Sequence, residues 1–196
     1  MKKLSGQIKI NTAVFISGTG SNLYNLIKFS LLKKSPIKIC LVISSNSKAK
    51  GLNFAKKFRI KRKTFRFYKK DEKILINYLL KNKIEFICLA GFMKILSKYF
   101  INKFKGKIIN IHPSLLPKYK GLNTHYKVLK NKEKITGCTV HHVNFKLDSG
   151  KIILQKKVRI FENDTPITLK KRVLKQEHVT YPIAIKKLFS SLQKKS

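Results

Sequence analysis

Asn110 and His112 are the first residues whose types and spacing could do chemistry. They lie two positions apart in an apolar run, and residues two apart on a strand point to the same face. Pro113 and Pro117 then stop regular structure, so both side chains should lie at the exposed end of a buried strand. Strand ends in open α/β sheets are where ligands bind. Taken alone, the two side chains could also be a hydrogen-bonded polar pair at a strand end that does no chemistry.

Asp148 begins an Asp-Ser-Gly sequence at the end of a predicted strand. Such a sequence also forms turns well. Beside Asn110 and His112, however, its carboxylate could orient the imidazole and favour the charged ring, while amide and imidazolium donate to an oxyanion. No Ser or Cys nucleophile belongs to this set, since Ser114 lies behind Pro113. The set indicates direct attack by a substrate amine on a bound acyl donor rather than a covalent acyl-enzyme.

A glycine-containing loop lies between the first predicted strand, residues 8–17, and the helix that follows. Residues 17–22 read Ser-Gly-Thr-Gly-Ser-Asn, and Ser21 is a natural N-cap. Strand, glycine loop and helix N-terminus together hold phosphate on free backbone N–H groups. The loop is neither a Walker A loop nor a complete GxGxxG motif. A tight turn is an equally open interpretation of the loop taken by itself.

Strand-like and helix-like segments alternate along the chain, which predicts βαβ units and an α/β fold. The first strand should be central and parallel, because Ala13 to Ile16 is continuously apolar. Residues 59–67 predict a weak edge strand, and Gly91 should begin a short helix. The last two strands should be antiparallel neighbours. Thr165 and Pro166 should begin a long helix to about residue 189.

The 196 residues contain no linker-like composition, so the sequence predicts one domain over residues 1–196, with residues 190–196 as a frayed tail. From Gly137 the apolar period is two. This pattern places His141 on the inner face and His142 toward solvent. His141 could then belong to the site, or it could be a hydrogen-bonded histidine of the core without a role in function. Five carboxylates in polar contexts are predicted to lie at the surface: Asp71, Glu72, Glu133, Glu162 and Asp164. A solvated helix face is the simplest interpretation of Glu177.

The net charge of +37 suggests nucleic acid as a partner at first sight. Only five of the 45 basic residues are Arg, however, and the lysines spread along the whole chain. Readers of bases and phosphates favour Arg. The interleaved basic and aromatic residues of 59–67 could stack on RNA, but an edge strand with solvated lysines fits better. The composition therefore favours compositional drift toward lysine at tolerant surface sites over a surface that functions by attracting anions. Nucleic acid is not expected as a partner.

Cys40, Cys88 and Cys138 are odd in number and far apart, which predicts free thiols in a reducing cytoplasm. No CxxC or HExxH spacing occurs, so no metal is expected. The longest apolar run is too short to span a bilayer. Polar residues near the N-terminus interrupt the apolar stretch that a signal peptide needs.

Several motifs occur together in a fixed order. They are Gly-Thr-Gly-Ser-Asn at 18–22, Leu-Ala-Gly-Phe-Met-Lys-Ile-Leu at 89–96, Asn-Ile-His-Pro-Ser-Leu-Leu-Pro at 110–117, Leu-Asp-Ser-Gly at 147–150, Gln-Glu-His at 176–178 and Tyr-Pro at 181–182. In this combination the whole chain resembles the phosphoribosylglycinamide formyltransferases of purine biosynthesis. The resemblance implies a Rossmann-like fold, with a mostly parallel central sheet, helices on both faces and an antiparallel C-terminal part.

The same resemblance implies formyl transfer from 10-formyltetrahydrofolate to the amine of glycinamide ribonucleotide. Asn110, His112 and Asp148 would be the catalytic set. The implied substrate contacts are Gly20, Ser21, Asn22 and Glu177. The implied folate contacts are Met93, Lys94, Ile95, Leu96 and Asn110, and His141 would lie near the site. The family's basic folate contact has no clear match, although Lys69 or Lys70 could serve.

Three positions depart from the family pattern: Lys94 replaces a frequent Arg, Lys151 a common Pro and His142 a usual aromatic residue. The methionyl-tRNA formyltransferases are the nearest alternative, because they share the Asn-x-His-x-Ser-Leu-Leu-Pro motif. That family is longer, with a C-terminal RNA-binding domain. A basic nucleic-acid-binding module is a second alternative, but it leaves the Asn110, His112 and Asp148 set unexplained. The sequence leaves open whether the protein is a monomer or a homodimer.

Overall fold

A computed structural model describes residues 9–190, with the exception of the side chain of Lys69. Its centre is a seven-stranded sheet in the order β3-β2-β1-β4-β5-β6-β7. The strands are β1 (Ile10–Ile16), β2 (Ile37–Ser44), β3 (Lys61–Thr64), β4 (Phe86–Leu89), β5 (Lys107–His112), β6 (Ile135–His142) and β7 (Ile152–Arg159). The helices are α1 (Ser21–Leu31), α2 (Leu52–Lys57), α3 (Lys69–Lys81), α4 (Lys98–Lys103), α5 (Thr124–Lys130) and α6 (Pro166–Leu188).

The first five strands pair in parallel, and β6 and β7 join antiparallel to their neighbours. This confirms the predicted mostly parallel sheet with an antiparallel C-terminal part. The weak segment at 59–67 forms β3 at the edge of the sheet, as predicted. Because β1, β4 and β5 run the same way, the loops that follow them emerge at one edge, where sites form in such sheets.

Both faces of the sheet are covered, which explains the unbroken apolar run of β1. Val14 and Ile16 pack with α1 and α6 on one face, while Ala13 and Phe15 pack with α3 and α4 on the other. A smaller cluster joins α5 and α6 to β6 and β7. No helix within residues 9–190 is long and apolar enough to cross a membrane.

The C-terminal helix begins and docks through specific polar contacts. Thr165 forms a capping box with Thr168, and Pro166 occupies the first turn, as the sequence predicted. The buried hydroxyl of Tyr181 donates to the carbonyls of Leu89 and Ile109, at 2.9 and 3.3 Å. These bonds fix the middle of α6 over β4 and β5. Residues 191–196 of the predicted frayed tail lie outside the described part of the chain.

Several sequence predictions were wrong locally. No helix begins at Gly91, which adopts a φ of +67° and starts a loop that reaches α4. The period-two strand ends at His142 because the chain turns away there, which leaves Phe145 and Leu147 more than half exposed. Gly20, in a left-handed conformation, occupies the N-cap position of α1, so Ser21 is the first helical residue rather than the cap.

Two carboxylates predicted to lie at the surface have side chains with little exposure instead: Glu72 is buried, and Asp164 is half-buried. Glu72 is 5% exposed and accepts hydrogen bonds from the backbone N–H and the hydroxyl of Ser97. The side chain of Asp164 is 3% exposed and is held by both terminal nitrogens of Arg172. The partner of Glu72 lies 25 residues along the chain, and that of Asp164 lies eight residues along, on α6. A local polar context reveals neither.

Candidate active site

The three side chains predicted to form the catalytic set lie together, and His141 joins them. Nδ1 of His112 is 3.3 Å from Oδ2 of Asp148, and Nε2 of His141 is 3.6 Å from Oδ1 of the same carboxylate. Nδ2 of Asn110 lies 3.3 Å from Nε2 of His141. The antiparallel register of β5 and β6 sets this last contact, since Asn110 is directly opposite His141.

Asp148 reaches this cluster from the loop between β6 and β7 rather than from a strand end. Its backbone adopts a φ of +44°, and Oδ2 accepts a 2.9 Å hydrogen bond from the N–H of Gly121. The loop returns tightly over β6, because a Cβ atom on Gly150 would lie 1.7 Å from the carbonyl oxygen of His142. Only glycine fits at that approach. The Asp-Ser-Gly sequence is thus a turn former that also delivers the carboxylate.

Both ring nitrogens of His112 face acceptors. Nε2 lies 2.8 Å from the carbonyl oxygen of Tyr119, a distance that requires a proton on Nε2. Nδ1 faces Asp148, so the doubly protonated imidazolium satisfies both contacts. The pKa of His112 nevertheless lies below its usual value, because burial outweighs the Tyr119 carbonyl and the Asp148 carboxylate, which act in the opposite direction. The 2.8 Å contact with the Tyr119 carbonyl fixes Nε2. The 3.3 Å contact with Asp148 means that a proton on Nδ1 points toward the cluster.

The carboxylate of Asp148 stays ionised although its side chain is only 8% exposed. Burial acts to raise the pKa of Asp148, but the contact with His141, the N–H of Gly121 and the nearby His112 outweigh it. The pKa therefore lies below its usual range. An anionic carboxylate is the form that can orient and charge the imidazole of His112.

A cavity opens beside the cluster. It is lined by Leu89, Phe92, Lys94, Ile95, Leu96, Asn110, His141, Val143, Asn144, Phe145, Lys146, Leu147 and Asp148. Most of these side chains are apolar, with lysines from two loops and the polar cluster at one end, which is the pattern of small-molecule sites. Within residues 9–190, no group of three or more His, Cys, Asp or Glu side chains could hold a metal ion.

Five residues in addition to Asn110 were predicted to contact folate, and only three of them line the cavity. Lys94, Ile95 and Leu96 line the cavity together with Asn110. Met93 is not among the lining residues; its side chain is 62% exposed and its N–H donates to the hydroxyl of Ser17. Lys69 begins α3, but its side chain lies outside the described part of the structure.

The glycine loop lies at the same edge of the sheet and ends at the first turn of α1. Gly20 has a φ of +78°, and a Cβ atom there would lie 2.5 Å from the Cα atom of Gly51. Ser21 and Asn22 follow in the first helical turn, where backbone N–H groups lack intrahelical acceptors. The loop therefore presents the donors and the dipole that favour an anion.

Asn22 and Glu177 form a buried polar pair between α1 and α6. Nδ2 of Asn22 donates to Oε2 of Glu177 at 2.6 Å, and each residue is 7% exposed. Burial raises the pKa of Glu177 to about 7, against the effects of Asn22 and Lys170. Among the described residues, nothing donates to the buried Oδ1 atom of Asn22. The solvated helix face expected for Glu177 was therefore wrong.

The sequence profile of the family described as Formyl transferase matches residues 10–185, which include every element of the sheet and the cluster. The chain belongs to the formyl transferase family.

Relatives and solved structures agree with this assignment. The phosphoribosylglycinamide formyltransferase of Haemophilus influenzae is 42% identical over 179 residues, or 89% of this chain and 84% of that protein. The crystal structure of the Brucella melitensis phosphoribosylglycinamide formyltransferase is 40% identical, with a TM-score of 0.87 over 92% of this chain and 96% of that one. The trifunctional purine biosynthetic protein adenosine-3 of Chironomus tentans is 42% identical over 91% of this chain, which spans only 14% of that relative.

Two residues whose backbone contacts this cluster were not assigned a role from the sequence. Tyr119 contributes a backbone carbonyl, which no side-chain pattern can reveal. Gly121 contributes a backbone N–H to Asp148, although a glycine shortly after two prolines is a signal for a special loop. His141, predicted to point inward, is 2% exposed and contacts both Asn110 and Asp148.

Proposed function

We propose that this formyl transferase moves the formyl group of 10-formyltetrahydrofolate to the amine of glycinamide ribonucleotide, a step of purine biosynthesis. The observation that carries the proposal is the cluster of Asn110, His112, His141 and Asp148 at the end of an apolar cavity. The relatives named for this activity match nearly the whole chain, which supports the choice of substrates. Three unpaired thiols suit the cytoplasm, where we place the reaction.

The acceptor substrate would bind between the glycine loop and α6. Its phosphate would accept from the backbone N–H groups after Gly20 and from Ser21. The buried pair of Asn22 and Glu177 would meet the uncharged part of the same molecule, and the unpartnered Oδ1 atom of Asn22 would accept a hydrogen bond from it. The strongly basic surface would attract this anion from solution.

The formyl donor would occupy the cavity. Apolar side chains such as Ile95, Leu96 and Val143 suit a flat heteroaromatic ring, and backbone groups of residues 93–96 could hydrogen-bond its edge. Lys94 and Lys146 supply cations for the carboxylates of the folate tail. Lys69 stays a further candidate for that tail from the sequence alone.

The chemistry would be direct acyl transfer. The amine nitrogen attacks the formyl carbon, a C–N bond forms, and the carbonyl oxygen takes the negative charge of a tetrahedral intermediate. The amide of Asn110 and the Nδ1 proton of His112 would stabilise that oxygen. Asp148 would orient His112 and favour its charged form, and His141 would hold both Asn110 and Asp148 in place. Collapse breaks the bond to the folate nitrogen, which receives the proton that the amine loses.

A labelling experiment tests the proposal. The protein is mixed with glycinamide ribonucleotide and 10-formyltetrahydrofolate that carries ¹³C in the formyl group, and the products are resolved by mass spectrometry. We expect the label in an amide of the ribonucleotide and unformylated tetrahydrofolate as the second product. Label that leaves only as free formate, with the ribonucleotide unchanged, would contradict the proposed acceptor.

A further inference from the structure

The carbonyl group that anchors His112 belongs to a residue in a costly backbone conformation. Tyr119 has a φ of +56°, which is uncommon for a bulky residue, and its carbonyl oxygen lies 2.8 Å from Nε2 of His112. Conformations of this kind are strained and persist only when the surroundings fix them. The contacts that hold Tyr119 therefore also decide where the Nε2 acceptor of His112 lies.

Two polar side chains contact the Tyr119 hydroxyl at the far side of the loop, and a lysine binds one of them. Its hydroxyl donates to Oε1 of Glu133 at 2.7 Å and accepts from Nδ2 of Asn131 at 3.0 Å. Nζ of Lys118 lies 3.1 Å from the same carboxylate oxygen. Glu133 is itself fixed to the end of α5, because its N–H donates to the carbonyl of Val128 at 3.1 Å. The tyrosine ring thus connects the loop after β5 to the end of α5.

We propose that Glu133 and the Tyr119 hydroxyl are positioning groups for His112. They hold the Tyr119 backbone so that its carbonyl accepts from Nε2, and this directs the Nδ1 proton toward Asp148 and the reacting centre. Neither group touches the reacting atoms. The proposal rests on the proposed function for its kinetic consequence, but its structural consequence for His112 can be observed in the protein without substrates.

The ionisation and tautomer of His112 are the quantities to observe. The charged and titratable groups that act on the ring are Asp148, His141, Lys127 and His125. None of these is altered when the Tyr119 hydroxyl or Glu133 is changed. The Tyr119 carbonyl raises the pKa of His112 against the effect of burial. Displacement of this carbonyl should lower the pKa of His112. The neutral ring could then carry its single proton on Nδ1, facing Asp148, instead of on Nε2.

The experiment compares Tyr119→Phe, Glu133→Ala and Glu133→Gln by ¹⁵N NMR of the imidazole nitrogens, with the His112 signals assigned from a His112→Asn protein. In the wild type we expect Nε2 to stay protonated across the titration. In Tyr119→Phe and Glu133→Ala we expect a lower titration midpoint and an Nε2 signal that moves toward the unprotonated range. Glu133→Gln keeps an oxygen acceptor for the tyrosine hydroxyl, so it should restore most of the wild-type signature.

Tyr126→Phe is the matched control, since it removes a hydroxyl from a tyrosine of α5 that is 58% exposed. It should leave the His112 signals and turnover unchanged. In Tyr119→Phe, turnover should fall about fivefold with little change in KM, as expected for the loss of one hydrogen bond. His112 signals identical to wild type in both Tyr119→Phe and Glu133→Ala would overturn the proposal. Altered signals without any formyl transfer in the wild type would instead overturn the proposed function alone.

Discussion

The side-chain amide of Asn22 donates a 2.6 Å hydrogen bond to the carboxylate of Glu177, which joins the first turn of α1 to the middle of α6. The pair is buried, and burial raises the pKa of Glu177 to about 7 from an ordinary value of 4.5. A carboxyl group that is half protonated near neutrality can donate or accept a hydrogen bond. The pair therefore makes the stability depend on pH, and in the proposed function it would also contact the substrate.

Glu177→Gln should remove that pH dependence. Because the folded-state pKa lies above the unfolded value, the folded protein keeps a proton that the unfolded chain has released. The free energy of unfolding should then fall as pH rises from 4.5 to about 7, by at most about 3 kcal/mol. Urea unfolding at pH 5 and pH 8 measures this difference. Glu162→Gln, at an exposed position, is the control and should keep the wild-type slope; an equal slope in Glu177→Gln would refute the assignment.

Gly20→Ala should destabilise the fold and weaken binding of the phosphate-bearing substrate. Its φ of +78° and the 2.5 Å approach of a Cβ atom to Gly51 both oppose a side chain. We expect a loss of about 2 kcal/mol or more in the free energy of unfolding. Gly18→Ala is the matched control for stability, because nothing lies within 4 Å of a Cβ atom there. Equal unfolding curves for the two variants would show that the glycine contact is not needed.

The mostly parallel sheet, its weak edge strand and its antiparallel C-terminal part could be predicted from the sequence, because apolar runs and glycine loops report local structure directly. The same patterns predicted that Asn110 and His112 share a face. What could not be predicted depends on contacts between distant segments. Glu72 and Glu177 are buried by partners far along the chain, and the loop that carries Asp148 leaves its strand at His142, where the apolar alternation continues.

The anchor of His112 was missed for a different reason. The backbone carbonyl of Tyr119 has no signature in side-chain chemistry, and a tyrosine at positive φ runs against local preference. The Gly20 position shows the converse case. The glycines of this loop leave a tight turn and a phosphate loop equally open, and the sequence predicts Ser21 as the cap because hydroxyl residues are the usual N-caps; Gly20 occupies that position instead.

Asn110→Ala should cut turnover by about two orders of magnitude or more, because it removes a donor to the oxygen that becomes negative in the transition state. The free energy of unfolding should change little, since the side chain lies at the cavity surface. Asn102→Ala, at an exposed position of α4, is the control for the same change elsewhere. Turnover within about twofold of wild type would remove Asn110 from the proposed catalytic set.

Asp148→Asn should move the pH dependence of turnover as well as its size. The carboxylate acts to raise the pKa of His112, so its loss lowers that pKa and reduces the charged fraction of the ring at neutral pH. If turnover needs the imidazolium, the fall in activity at high pH should begin at lower pH than in the wild type. Single-turnover rates across pH measure this shift. A reduced rate with an unshifted profile would mean that Asp148 acts without His112.

The most direct test of the proposed activity is a competition for one formyl donor. Wild-type protein is given 10-formyltetrahydrofolate with equal concentrations of glycinamide ribonucleotide and charged initiator tRNA, and both formylated products are measured. The same mixture with Asn110→Ala provides the background. We predict that the ribonucleotide takes almost all of the formyl group in a reaction that depends on Asn110. Preferential formylation of the tRNA, or a ribonucleotide product that forms equally fast in Asn110→Ala, would contradict the account.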